Sequence, residues 1–285
     1  MNNFFSPAIR LMNRLSYTKK FALLWFMALN VTVVLLLSIL FLVNKEISIA
    51  KQEIKGIDLI TSILHTQQSI QLHRGLGALS IVGNTAAHNR HADVDAAINE
   101  NIAKLGEMLP VNLRESNDWI KIKAGWGHLH EEQFRSDVAG YLSRSTRLIY
   151  DLMAFTQTVA HEYHLSLDSE ASTYTLIDTA VTKLPAAIEH IGQLRGYGAV
   201  MLAEKRVTEE QKIQAYKSLG MLADALEMFE LNVERTANYN PVLKQSLFSI
   251  NNAIANITRQ VVGTMESEIL VGNFARDPEE FFELF

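Results

Sequence analysis

The run Phe21–Val43, FALLWFMALNVTVVLLLSILFLV, holds 23 residues without a charge. At ~1.5 Å per residue a helix of this length reaches ~34 Å, enough for the ~30 Å hydrocarbon core of a bilayer. The rest of the chain has to be read around that anchor. Trp25 stands near the basic end of the run, where interfacial aromatic side chains collect. A cleaved signal peptide would show a shorter apolar core followed by a small-x-small site, and neither is found. Residues 1–20 contain Arg10, Arg14, Lys19 and Lys20 and no acid, which leaves 22 bases against 31 acids for the remainder. The positive-inside rule then makes 1–20 a cytoplasmic tail and 21–43 a transmembrane helix. Residues 44–285 are expected on the other side, which in a bacterium is the periplasm, the membrane then being the inner one. An acidic body argues against a nucleic-acid partner. The chain has no Cys, which excludes disulfides, thiolate metal sites and a cysteine nucleophile.

Gly and Pro number 14 and 5, too few for a turn-rich β fold. The hydrophobic spacing is helical throughout. Ile47, Ala50, Ile54, Ile57, Thr61 and Leu64 follow a 3, 4, 3, 4, 3 rhythm, a coiled-coil seam. A second seam runs Phe134, Val138, Tyr141, Ser145, Leu148, Leu152, Phe155, Val159. A third joins Leu219, Leu222, Leu226, Phe229 and Val233, and a fourth Leu243, Leu247, Ile250, Ile254, Ile257 and Val261. Thr208 and Gln211 form a capping box. Asn240-Pro241 and Asp277-Pro278 each place an N-cap before a proline at the first helical position. These signals predict helices over 44–84, 91–109, 127–165, 170–204, 208–239 and 241–272, with shorter ones near 114–122 and from 278. The expected fold is all-α: a transmembrane helix continuing into two stacked helical bundles. Phe281, Phe282 and Phe285 open a further apolar face. They predict that the chain is the front of a longer protein whose next helix returns to the membrane.

Two short segments match each other. Arg74-Gly75-Leu76-Gly77-Ala78 and Arg195-Gly196-Tyr197-Gly198-Ala199 each set two glycines inside a long helix, at ~1 kcal/mol apiece relative to Ala. Such glycines either let helices approach closely or leave room for a ligand. An Arg beside the gap offers a planar fork suited to carboxylate, nitrate or phosphate. An inter-helix ion pair would use the same fork. Gln67, Gln68 and Gln71 precede Arg74 and line its pocket or face water. His88 and His91, and His161 and His164, are spaced i, i+3, but no third ligand is fixed, so the expected state is solvated histidine and no metal. No P-loop, nucleophile elbow, zinc-protease or dinucleotide motif occurs, and no cofactor or catalytic role is expected.

Several stretches carry a family resemblance. They are Leu15-Ser-Tyr-Thr-Lys19-Lys20-Phe21 before the span, and Gln71-Leu-His73-Arg74-Gly75-Leu76. To these are added Leu165-Ser-Leu-Asp168-Ser-Glu-Ala-Ser-Thr-Tyr174-Thr-Leu-Ile-Asp178, Leu184-Pro185 and Gln193-Leu-Arg195-Gly196. The chain resembles the N-terminal part of bacterial methyl-accepting chemotaxis proteins, and its sensor is similar to the nitrate/nitrite-sensing helical type. The same input region occurs on diguanylate cyclases and hybrid histidine kinases. The resemblance implies a periplasmic sensor acting as a homodimer, which binds a small anion such as nitrate, nitrite or an organic acid and signals across the membrane. It implies ligand contacts from Arg74 and Arg195, with Gln71, Gln193, His73 and Tyr197 nearby. No second span, HAMP-type linker or output module is in the chain. A structural or partner-binding helical bundle without a ligand is the other reading of these features.

Overall fold

The computed structural model describes residues 10, 12–131, 137–167 and 171–284. Among the described residues the fold is all-α, with no strand. Residues 1–52 and 53–285 form separate compact units.

The first unit is dominated by the start of helix α1, Tyr17–Ile81. Its apolar side chains are exposed on every face, as with Phe21, Trp25 and Phe41 at about 70%. Asn30, Thr32 and Ser38 each donate to the carbonyl four residues back, those of Phe26, Ala28 and Val34. The run therefore turns its polar hydrogens inward. By length and composition it is a candidate membrane span.

The second unit begins with the remainder of α1. There follow α2 (Thr85–Met108), α3 (Val111–Arg114), α4 (Asn117–Glu131) and α5 (Val138–Glu162). After a 3-10 turn at Leu165–Leu167 come α6 (Ala171–Asp178), a π-helical turn (Thr179–Lys183) and α7 (Leu184–Glu204). The series ends with α8 (Glu209–Tyr239), α9 (Lys244–Thr264) and α10 (Pro278–Phe282), with a second π turn at Met265–Ile269. The caps read from sequence are present. Thr208 and Gln211 cap each other's backbone, and Asp277 accepts from the amides of Glu279 and Glu280.

Three expectations are corrected. The helix over 127–165 is in fact two, α4 and α5: α5 has its own start at Val138, where extended Asp137 accepts from the amide of Gly140, and Trp119, Ile122, Trp126 and Leu129 are the buried stripe of α4. Phe134 of the second seam lies outside the described residues; its later members from Tyr141 to Val159 are buried. Helix α2 starts at Thr85, not 91, because Gly83 turns the chain at φ +95° and the Asn84 side chain caps the amide of Ala87. The seam from Ile47 to Thr61 points outward. The core face of α1 is the offset row Leu59, Ile63, Ile70 and Arg74. Both rows satisfy helical spacing, so periodicity alone does not choose between them.

Two apolar clusters fill the second unit. One joins Ile63 and Ile70 of α1 to Ile98, Trp119, Ile149 and Phe155. The other joins Leu76 and Leu79 of α1 to Leu194, Phe229, Val261, Phe281 and Phe282. The last turns of α1 thus serve both cores. The apolar face opened by Phe281 and Phe282 is spent inside this second core. Phe285 lies outside the described residues.

Candidate functional site

Gln71, His73 and Arg74 occupy one turn of α1, and all three are buried. Buried polar groups demand partners. The described residues contain two buried carboxylates, Glu189 and Asp95, and this one turn of α1 meets both.

Glu189 on α7 is the centre of the first cluster. It accepts from Arg74 Nη1 at 2.5 Å, Arg74 Nη2 at 3.3 Å, Gln71 Nε2 at 2.8 Å and Gln193 Nε2 at 2.8 Å. Arg74 also donates to Thr146 Oγ1 on α5 at 2.9 Å. Gln193 reaches Tyr150 Oη at 3.1 Å and accepts from Ser218 of α8 at 3.3 Å. Four helices are tied through one carboxylate. Gly192 supplies the room: a Cβ there would stand 3.2 Å from Arg74 Nη2.

Arg195 lies on the same helix as Glu189, half-buried, with its guanidinium 4.6 Å from the centre of the Phe282 ring. Burial, followed by the like charge of Arg74, pushes its pKa down to about 10, so it stays cationic at neutral pH. Both arginines therefore lie within each other's field. Tyr197 is half-buried, and burial raises its phenol.

The second cluster surrounds His73. Its Nε2 faces Asp95 Oδ1 of α2 at 3.3 Å, and its Nδ1 lies 3.0 Å from Tyr141 Oη of α5. His91 Nε2 meets the same Tyr141 oxygen at 3.2 Å, and the two imidazole centres are 3.9 Å apart. Asp95 Oδ2 pairs with Nδ1 of His130, an outer residue of α4, at 2.8 Å. Trp126 stands edge-on to His73 at 5.0 Å. Burial lowers the pKa of His73, and that of His91 to about 3. Asp95 is pulled the other way by burial, yet the facing imidazoles of His73 and His130 hold it below the ordinary carboxylate value. His91 is thus a core residue rather than a solvated one; His88, His161 and His164 are exposed. No group of three His, Asp or Glu side chains among the described residues has metal-holding geometry.

The motif glycines seat aromatic side chains. A Cβ on Gly75 would stand 2.1 Å from the Phe282 ring, and one on Gly198 would stand 2.5 Å from that of Phe281. A Cβ on Gly77 would stand 2.1 Å from Tyr141 Oη. Each R-G-x-G copy therefore grips one member of the Phe281-Phe282 pair. Gly75→Val should force Phe282 out of its seat and lower the thermal midpoint by several degrees, since overpacking costs ~1–3 kcal/mol. Combined with Phe282→Ala, it should cost clearly less than the sum of the two single losses, because the introduced valine side chain then fills part of the space the ring left. Additive losses would contradict this pairing.

Of the sequence-predicted residues, Arg74, Gln71 and Gln193 converge on one carboxylate. His73 belongs to the neighbouring cluster, and Arg195 and Tyr197 flank the first. The three glutamines divide: Gln71 is paired, Gln67 is buried with an unpaired Oε1, and Gln68 is exposed. Sequence reasoning missed Glu189, Asp95, Thr146 and Tyr141. The one signal for Glu189 was its i, i+4 relation to Gln193. Two clefts, of about 460 and 280 Å³, lie away from both carboxylate clusters; Gln68 lines the larger. No family model, curated protein or solved structure matches the chain.

Proposed function

We propose that the chain is the ligand-sensing region of a membrane-anchored bacterial receptor of the chemotaxis type, taking a small anion on its periplasmic side. The observation that carries this reading is the buried Gln71–Arg74–Glu189–Gln193 cluster, set on the same helix as the apolar span. Glu189 occupies the arginine fork as an internal carboxylate. An incoming nitrate or organic acid presents the same planar acceptor geometry. It competes with Glu189 for Arg74, Gln71 and Gln193, and Arg195 adds a second positive charge. Releasing Glu189 loosens α7 from α1, and the ligand's differential affinity for the two packings sets the size of the shift. The shift passes along α1 as a small translation or rotation.

Calorimetry on the detergent-solubilised chain tests this with nitrate, nitrite and small carboxylates. Saturable binding of one of them is expected, lost in Arg74→Ala. Binding that survives that substitution would falsify the site. Protease protection tests the orientation: residues 44–285 are expected on the periplasmic face.

The outward seam supports a parallel homodimer. Ile54 and Ile57 are 60% and 51% exposed, and their heptad rhythm suits a second copy anchored in the same membrane. Glu46 and Lys51 take the g and e positions that pair across such a dimer. Because the chain has no Cys, a single Ile57→Cys substitution reports directly. Oxidation should give a disulfide-linked dimer in membranes, whereas Ser62→Cys, off the seam, should give little.

A further inference from the structure

The cleft of about 280 Å³ belongs to neither carboxylate cluster. Its walls come from the end of α5 (Gln157, Ala160), the 3-10 turn (Ser166), α6 (Tyr174, Ile177, Asp178) and the π turn (Val181, Thr182). At ~30 Å³ per water it holds on the order of nine waters, room for a small organic molecule but not a drug-sized one.

Ser166 Oγ is buried without a hydrogen-bond partner among the described residues. Asp178 Oδ2 accepts from Asn232 Nδ2 at 2.7 Å and lies 3.7 Å from Lys183 Nζ, and among the described residues nothing donates to Oδ1. A buried, unsatisfied hydroxyl costs free energy unless something else pairs with it. Ala160, Ile177 and Val181 give the cleft an apolar side.

The backbone here is also out of the ordinary. Thr179–Lys183 is a π turn, closed by the amide of Leu184 on the carbonyl of Thr179. Pro185 explains it, since proline cannot donate to the carbonyl of Val181 and its ring crowds that carbonyl. The wider turn carries Val181 and Thr182 into the cleft wall. Turns of this kind occur often at functional sites.

The charge pattern selects the ligand. Among the described residues Asp178 is the one charged group in the lining, with Lys183 lying against its Oδ2 from outside the cleft. An anion would have to sit beside that carboxylate with only the neutral donors of Gln157, Ser166 and Thr182 to hold it. A cation meets Asp178 Oδ1, with the oxygens of Gln157, Ser166 and Thr182 as further acceptors and the Tyr174 ring available for a cation–π contact.

We infer that this cleft is a second ligand site, which takes a small aliphatic ammonium compound with its nitrogen toward Asp178 and its carbon chain against Ala160, Ile177 and Val181. The site is chemically opposite to the arginine cluster and independent of it. Lys183 beside Asp178 weakens the attraction for charge, so affinity leans on the fit of the carbon chain as well.

The test uses the full chain in detergent, with n-propylammonium as the probe and 1-propanol and propionate as matched arms at constant ionic strength. Calorimetry should show saturable binding of propylammonium, at least tenfold tighter than of either control. Asp178→Asn should weaken it at least tenfold. Thr182→Trp, which fills the cleft from a half-buried position, should abolish it and decides the matter if Asp178→Asn unfolds. Propylammonium should bind saturably with nitrate absent or present, which separates this site from the anion site. No saturable propylammonium binding, equal binding of propionate or propanol, or undiminished binding in Thr182→Trp would each overturn the assignment.

Discussion

Replacing Glu189 with alanine should cost about 3–5 kcal/mol of folding stability, a large share of the total for a domain of this kind. The side chain is wholly buried and receives hydrogen bonds from Arg74, Gln71 and Gln193. Without it, Arg74 keeps a charge in the core with only Thr146 facing it, and two amides lose an acceptor. The cost is that of the abandoned partners rather than the worth of the pair. A double variant, Arg74→Met with Glu189→Leu, should therefore be markedly more stable than Glu189→Ala alone. Urea unfolding of the wild-type chain, Glu189→Ala, Arg74→Met, Glu189→Leu and the double variant checks this. If the double variant loses as much as the sum of the two single changes, the pair is not coupled as described. Millimolar nitrate or formate should partly restore Glu189→Ala, because either anion fits the vacated half of the fork.

Acid should weaken the second unit steeply. Burial keeps His91 neutral down to about pH 3, and lowers His73 and His190 in the same direction. In the unfolded chain these histidines return to ~6.5. Between those values the unfolded state binds more protons than the folded one, so stability falls as pH drops through 6.5 toward 3. His91 contributes up to ~1.4 kcal/mol per pH unit over that interval, and His73 and His190 steepen the slope in the same direction. Asp95 extends the loss below pH 4, because its paired carboxylate must then be protonated. The groups facing this cluster are known from every side: Asp95, His88 and His91 from α2, His130 from α4, Tyr141 from α5 and Arg74 beside His73. Urea midpoints at pH 7.5, 6, 5 and 4 should decline progressively, and His91→Asn should flatten the decline. A midpoint constant from pH 7.5 to 5 would rule out neutral buried histidines.

The glycines illustrate how far a sequence motif carries. Four glycines within two helices signalled that something approaches those helices closely. What approaches is the Phe281-Phe282 pair and Tyr141, which no spacing rule connects to residues 75, 77 or 198. The same limit explains the first seam. Ile47 to Thr61 and Leu59 to Arg74 are two rows on one helix, each at helical spacing, and only packing tells which row meets the core. Arg74 was legible as a cation needing an anion. Its partner in this fold is 115 residues away.

Composition and periodicity by themselves determined the uncharged run of Phe21–Val43, the all-helical class, the capping signals and the presence of an arginine, Arg74, that needs an acidic partner. These depend on neighbours within a few residues, where helix geometry and side-chain chemistry act. Tertiary structure alone decided that Glu189 fills the arginine fork, that His73 and His91 are held neutral beside Asp95, and that Pro185 opens a cleft next to Asp178. Desolvation and hydrogen-bond pairing are properties of the packed interior, and they set the charge and the availability of each group only once distant helices have met.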